Sequence, residues 1–438
     1  MNRFRNWAGT VDVPACIERP TTLKALLAAM RRDGPIRPLG GGHAYAPLVP
    51  GPGRILDLSA LNRCLAVDTD GPVPSITVEA GMRLRALSEL CEHCGLTLPG
   101  PTVFGEITVG GALATASHGT GLSTATLSDR VLQLQVVDAQ GVLQTVTADD
   151  PDLPGFSAGL GLLGVVYAIT LRLEPRFAVS LRQTAMPVEE AFARIPDLLR
   201  SHAYVETFWF PGQPRAWVLL GDPTPLPGQR HWRDRLQQAL RDRLTLGAGA
   251  RLLPVLTQRL PQASPVVTTL GHHIAFRESL RVVSAPDAFH YHTAFPRVLD
   301  HSLAIPLHDA PEAWRRLKRL LDVEARAGRH PVNFVAHARY IGASGAWLAP
   351  NYQQASCALE VVSGVGTPGA EAFFAEFERR MLDAFPATRP HLGKWLVSPQ
   401  TVAERMDGQA LARFRTLRTQ ADPEGRFLSP FLAELLQV

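Results

Sequence analysis

Lysine is scarce in this chain: Lys24, Lys318 and Lys394 are the only three among 44 basic residues. Arginine does the surface work, so a lysine retained in a particular place suggests a need for a compact ammonium. No apolar run approaches the ~20 residues that span a bilayer. The opening MNRFRNWAGT lacks the charged-then-apolar order of an export signal. No membrane partner is therefore expected, and the cytoplasm is the expected location. Cysteine is sparse and odd in number: Cys16, Cys64, Cys91, Cys94 and Cys357. That count argues against a disulfide framework. Cys91 and Cys94 form a C-x-x-C, but no second pair stands at zinc spacing. They fall in the last turn of an expected helix, not at an N-terminus that would activate a thiol. Blocks of one charge are also missing. The net charge is +4, and the densest basic cluster, Arg230 to Arg243, is broken by Asp234 and Asp242. No nucleic-acid partner is expected. His272-His273 and His290-x-His292 have ligand spacing on a strand, but no acidic cluster joins them. No metal is expected.

What remains is globular. The 438 residues include 46% hydrophobic types, with Gly and Pro spread throughout. Two or three domains are expected, with a large core and no need of disulfides. Residues 1–175 mix strands (36–39, 54–58, 76–80, 131–138, 142–147, 165–173) with helices (23–30, 83–94) and read as one α+β domain. Residues 176–388 read as a sheet with covering helices. Strands are expected at 207–210, 217–220, 303–305, 334–341 and 357–362, and helices at 311–327 and 370–384. The stretch 222–265 looks helical, with Trp232, Leu236, Leu240 and Leu244 on one face. Residues 389–438 form a tail.

Three glycine-rich stretches carry chemistry. Gly159-Leu160-Gly161-Leu162-Leu163-Gly164 fits G-x-G-x-x-G, but the residues that follow, Val165 to Leu171, read as a strand. The dinucleotide fingerprint needs a helix there, so that reading fails on context. Gly40-Gly41-Gly42-His43 follows a short strand. Its amides can converge on a phosphate, or it is a tight turn with an incidental histidine. Gly105 to Gly121 holds small, apolar and glycine residues, with no charge after Glu106. Such a run suggests close backbone approach to a large ligand. Two such loops in one α+β domain suggest an extended dinucleotide.

These residues resemble a family. Arg37-Pro38-Leu39-Gly40-Gly41-Gly42-His43-Ala44-Tyr45 is similar to the covalent-histidine loop of vanillyl-alcohol-oxidase-type flavoproteins. The second loop resembles their second FAD-binding stretch. Asn6-Trp7-Ala8-Gly9, Phe208-Trp209-Phe210-Pro211, Ala304-Ile305-Pro306, Trp347-Leu348-Ala349-Pro350, Arg389 to Lys394 and Asp422-Pro423-x-Gly425-x-Phe427 resemble the aldonolactone oxidase and alditol oxidase branch, in its order. The resemblance covers nearly the whole chain.

It implies an FAD domain completed by the C-terminal tail and a central substrate domain. It implies FAD bonded through His43, by one link only, since 105–121 contain no cysteine. Cofactor contacts are then expected from Pro38, Leu39, Gly40, Gly41, Gly42, Ala44 and Tyr45. Further contacts are expected from Val103, Thr108, Gly111, Thr115, Ser117, His118 and Gly119, from Val165 and Val166, and from Lys394. The branch places Glu-x-Arg on one strand and a histidine on a later one. This chain has His337-Ala338-Arg339, and Glu360 at the later position: the pair is swapped. His337 and Glu360 are expected to form an acid–base pair, with Arg339 binding a substrate oxygen and Lys394 and His391 beside the flavin.

The implied reaction is hydride transfer from a CH–OH group of a small-molecule alcohol to the flavin, with O2 the expected acceptor. Two departures bear on substrate: Val103 replaces a serine, and Ser302 replaces a glutamate. They suggest a less polyhydroxylated substrate, so a tailoring oxidase for a sterol or secondary metabolite is the alternative.

Overall fold

The structure, a computed structural model, describes residues 2–100, 102, 104–225, 260–289 and 297–438. Val103, most of the expected 222–265 helix including Trp232, and His290 and His292 lie outside them. Three larger sheets and one two-stranded pair organise the described residues. The first holds β1 (Asn2–Arg5), β2 (Asp12–Glu18), β3 (Ile36–Leu39) and β4 (Arg54–Asp57), in the order β1-β2-β4-β3. Here β2 and β3 run parallel to β4. The second holds β5 (Cys64–Asp68) and β6 (Ser75–Glu79), then, after the short β7 (Leu96–Thr97), β8 (Val131–Val137), β9 (Leu143–Thr147) and β10 (Val165–Arg172). It is antiparallel, in the order β5-β6-β10-β8-β9. The strand β10 follows directly on the Gly159–Gly164 turn, where Gly161 and Gly164 take positive φ, so no helix faces a pyrophosphate there.

The third sheet follows β11 (Glu174–Pro175). Its eight strands are β12 (Ala178–Pro187), β13 (Tyr204–Trp209), β14 (Arg215–Thr224), β15 (Ser279–Ser284), β16 (Val298–Pro306), β17 (Val335–Ile341), β18 (Ser356–Gly364) and β19 (Arg389–Pro390). They are ordered β15-β12-β14-β13-β17-β18-β16-β19, all pairs antiparallel. One face is apolar and covered by helices. In the helix Ala310–Arg326, Ala313, Trp314, Leu317 and Leu321 recur at helical spacing and are buried. In Ala370–Ala384, Phe373, Phe374, Phe377 and Met381 do the same. They meet Val205, Trp209, Ala336, Ala338, Leu359 and Val361 from the sheet.

Because strand side chains alternate, the other face carries Glu206, Phe208, His337, Arg339, Glu360, Asp300 and Ser302. The register aligns them: His337 pairs with Phe208 and Glu360, Arg339 with Glu206, and Glu360 with Ser302. Every residue of β16, β17 and β18 is buried. A row of charged residues on a buried sheet face is costly unless its members satisfy one another.

Two expectations are corrected here. Residues 222–224 belong to β14 rather than to a helix. His272 and His273 lie on the helix Ser264–Ala275, not on a strand, and His272 packs against Phe210 and Trp217. Among the described residues there is no group of three metal-ligating side chains. No described helix is long and apolar enough to cross a membrane. Cys91 is buried, which pushes its thiol up to about 12, as an inert core cysteine requires.

Candidate active site

A cleft enclosing about 1570 Å³, part of it open to solvent, runs between the two glycine-rich loops and ends at Arg339, His391 and Lys394. The loops touch. A Cβ on Gly40 would fall 2.3 Å from Thr108 Oγ1 and 3.2 Å from Gly111 Cα, so only glycine fits at that crossing. The second loop contains a short helix, Val109–Ala114, capped by Thr108, whose hydroxyl accepts from Gly111 N at 3.2 Å. That helix was not expected, because Gly110 and Gly111 weigh against it.

The first loop is held from the N-terminus. Trp7 N donates to Gly42 O at 2.8 Å and Asn6 Nδ2 to Ala44 O at 3.0 Å. The Trp7 indole stacks on His43 with centroids 5.8 Å apart. The imidazole Nδ1 of His43 is buried without a hydrogen-bond partner. Burial lowers the His43 pKa, and the nearby Gly41 backbone offsets this only in part. A neutral imidazole among the glycine backbone of the cleft lining fits an FAD-sized ligand. An FAD-sized group thus has a cradle of loop backbone and one unsatisfied nitrogen.

The second loop anchors on the charged sheet face. Gly121 N donates to Tyr340 O at 2.8 Å, and Thr120 Oγ1 to Val205 O at 2.6 Å. Arg339 Nη1 donates to His118 O at 3.2 Å. Arg339 Nη2 donates to Glu360 Oε1 at 2.5 Å, and its Nε is buried without a partner. His337 lies between two carboxylates: Nε2 is 3.0 Å from Glu206 Oε2, and Nδ1 is 3.5 Å from Glu360 Oε2. Its ring also stacks on Phe208 at 4.1 Å. Lys394 pairs with Asp300 and lies 3.5 Å from Glu360.

The electrostatics follow. Burial opposes the charge on His337, but Glu206 and Glu360 outweigh it and raise its pKa. Burial likewise opposes charge on Glu360, yet Arg339 and Lys394 hold its carboxyl well below the usual range. Asp300 is pushed up to about 6, chiefly by burial. Burial, with Arg339 close by, drops His118 to about 3. His391 falls well below its ordinary value by burial and the neighbouring His118. Both are neutral rings.

Of the residues expected around a cofactor, Pro38, Leu39, Gly40, Gly41, Gly42, His43, Ala44, Tyr45, Thr108, Gly111, Thr115, Ser117, His118, Val166 and Lys394 line the cleft. Two do not. Val165 is fully buried in the core behind the loops. The carbonyl of Gly119 is taken up by His118 Nδ1 at 3.0 Å, and the residue lies off the lining. Arg339 and His391 line the cleft, and His337 and Glu360 stand directly behind Arg339. Glu206 and Asp300 were missed. A lone carboxylate inside Tyr204-Val205-Glu206-Thr207-Phe208-Trp209 was the available signal.

Residues 169–435 match the family described as D-arabinono-1,4-lactone oxidase. The chain belongs to that family. Residues 14–147 match the FAD binding domain family. The chain is 27% identical to an L-gulono-1,4-lactone dehydrogenase of Mycobacterium tuberculosis, over 99% of each chain. It is 28% identical to an alditol oxidase of a Streptomyces species, over 98% of each. A solved solvent-stable cholesterol oxidase superposes with a TM-score of 0.81, at 21% identity, over 99% of this chain and 97% of that one. At that identity the likeness speaks for the fold alone. This member of the D-arabinono-1,4-lactone oxidase family is an FAD-dependent oxidoreductase that oxidises a CH–OH group. Its sequence relatives act on sugar lactones and alditols by name, so the sterol-tailoring alternative is not favoured.

Proposed function

We propose that the substrate is a sugar lactone or alditol, that FAD is bonded through His43, and that O2 takes the electrons, in the cytoplasm. The reading divides the chain at 175 and 388 into an FAD domain, a substrate domain and a tail that completes the first. The observation that carries it is the charged row that joins the cleft at Arg339: Glu206, His337, Glu360 and Arg339, linked by contacts of 2.5 to 3.5 Å. A flavin in the cleft supplies the hydride acceptor. Arg339, fixed by Glu360 and the His118 carbonyl, holds a substrate oxygen and steadies the charge that develops on it. The hydroxyl proton passes to the His337–Glu360 pair. Both ring nitrogens of His337 face carboxylates, so the proton reaches neutral His337 through Glu360, and the imidazolium is held between Glu206 and Glu360. Lys394, on Asp300 and Glu360, keeps a compact positive charge beside the same row. His118 and His391 are neutral and fill the seam. Support for the link is the free, buried Nδ1 of His43.

Two experiments test this. The purified protein is precipitated with acid, beside His43→Ala. Yellow colour in the wild-type pellet and its absence from the variant's pellet is the expected result; colour in the wild-type supernatant refutes the covalent bond. L-Gulono-1,4-lactone and xylitol are then added to the anaerobic holoenzyme. Bleaching of the flavin by either is expected, and its persistence with both removes the substrate class.

A further inference from the structure

Tyr45 stands two residues beyond His43 and lines the cleft, as Arg339, Gly393 and Lys394 do. It is only 6% exposed. Its backbone and ring are fixed. The amide donates to Gly393 O at 3.0 Å, the carbonyl accepts from Thr10 Oγ1 at 3.3 Å, and the ring meets Trp7 edge-on at 6.3 Å. Yet the phenolic oxygen is buried with no hydrogen-bond partner. A buried tyrosine normally finds one, and leaving it unpaired costs about 1–3 kcal/mol. Two carboxylates are near, but both are engaged elsewhere: Glu360 by Arg339, and Asp300 by Lys394. The other oxygen of Asp300, Oδ1, is also buried and unpartnered. Burial, with Asp300 and Glu360 nearby, raises the phenol well above 10, so it remains a donor throughout the working range.

Tyr45 brings an unused donor to the cleft lining, and the unused Asp300 Oδ1 is buried near it. A substrate hydroxyl, which both accepts and donates, can engage such a donor. We infer that Tyr45 is a substrate-recognition residue, donating its phenolic hydrogen to the hydroxyl next to the carbon that is oxidised. The inference rests on the lactone or alditol reading above. A site built to bond a hydroxyl discriminates against the analogue that lacks it.

The test uses holoenzyme and Tyr45→Phe, which removes one oxygen and leaves the ring packing. Flavin reduction is followed anaerobically with xylitol or L-gulono-1,4-lactone, whichever bleaches the wild type, and with the deoxy analogue that lacks only the hydroxyl next to the oxidised carbon. The expected result is an unchanged flavin spectrum and an apparent substrate Kd raised about 10-fold or more for the parent compound. The deoxy compound should bind both proteins alike. A variant that still discriminates parent from deoxy as the wild type does overturns the inference. A shifted flavin spectrum with unchanged Kd assigns the phenol to the flavin instead and equally overturns it. If neither compound reduces the wild type, the substrate reading itself has failed, and this inference falls with it.

Discussion

A carboxylate in the middle of a strand buried on both faces survives only if a charge meets it. Glu206 meets His337, and through it Glu360 and Arg339. The pair of His337 and Glu360 thus gains a second carboxylate from one strand over. It also makes a pH-dependent prediction. His337 must be neutral to take a proton, and Glu206 raises its pKa, so the rate of flavin reduction should climb as pH rises through that raised value. Glu206→Gln removes one of two stabilising charges. Its profile should shift to lower pH, while His337→Ala should reduce the flavin ~100-fold more slowly above that value and lose the dependence on it. Anaerobic rapid mixing across pH measures both, and an unmoved midpoint in Glu206→Gln would remove it from the proton path. At this scale the sequence is half legible. Parity along a strand puts His337 and Arg339 on one face, and the resemblance supplies Glu360. Nothing in a linear sequence says that β13 lies beside β17, so Glu206 had no visible partner.

The larger elements were legible where periodicity was strong. The spacing predicts helices at 311–327 and 370–384, and they form at Ala310–Arg326 and Ala370–Ala384. It fails where capping or pairing decides. Thr108 starts a helix that two glycines argue against, and β12 takes its partners, β14 and β15, from beyond the next strand of the chain. One helix also carries a titratable liability. Glu378 lies on the buried face of Ala370–Ala384, with Oε2 3.4 Å from His301 Nε2 and no hydrogen bond. Burial pushes its carboxyl up to about 7, and His301 down to about 4, so neither charges readily. Between about pH 4.5 and about 7 the folded state binds this proton and the unfolded chain does not. The contribution of Glu378 is therefore full at low pH and falls as pH rises through that window, by up to about 3 kcal/mol, while His301 contributes in the opposite sense between about pH 4 and about 6.5. Glu378→Gln stays neutral and can donate to His301. Melting scans from pH 5 to 8 should show the wild type losing Tm relative to the variant as pH rises. Parallel curves would mean that Glu378 ionises no differently in the fold.

The whole molecule is tied together at one guanidinium. Arg37, on β3, donates to Leu48 O at 2.9 and 3.2 Å, Leu160 O at 2.7 Å, Gly161 O at 3.1 Å and Phe427 O at 2.7 Å. These carbonyls belong to the stretch after the histidine loop, to the Gly159–Gly164 turn and to the C-terminal tail. The tail turn is itself preset: Asp422 accepts from Arg426 N and Phe427 N, each at 2.8 Å, and Gly425 takes a positive φ. Phe427 then enters the core shared with the helix Leu23–Met30 and β10. Arg37 has no carboxylate in contact, and burial lowers its pKa to about 9. The structure keeps a costly buried cation because five N–H···O bonds fix three distant segments around one wall of the cleft. Arg37→Met matches the stem in size but leaves four buried carbonyls unpaired, at about 1–3 kcal/mol each. Against a total stability of about 5–15 kcal/mol, the variant should lose at least about 5 °C in Tm. It should also expose the tail to proteases, with cleavage falling after Arg413, Arg415 or Arg418 on limited trypsin treatment. Arg37→Lys should recover only part of the loss, since one ammonium cannot reach carbonyls placed for a planar fork. Equal melting of wild type and Arg37→Met would mean that hydrophobic contacts of Phe427 alone hold the tail, and that the guanidinium is a passenger.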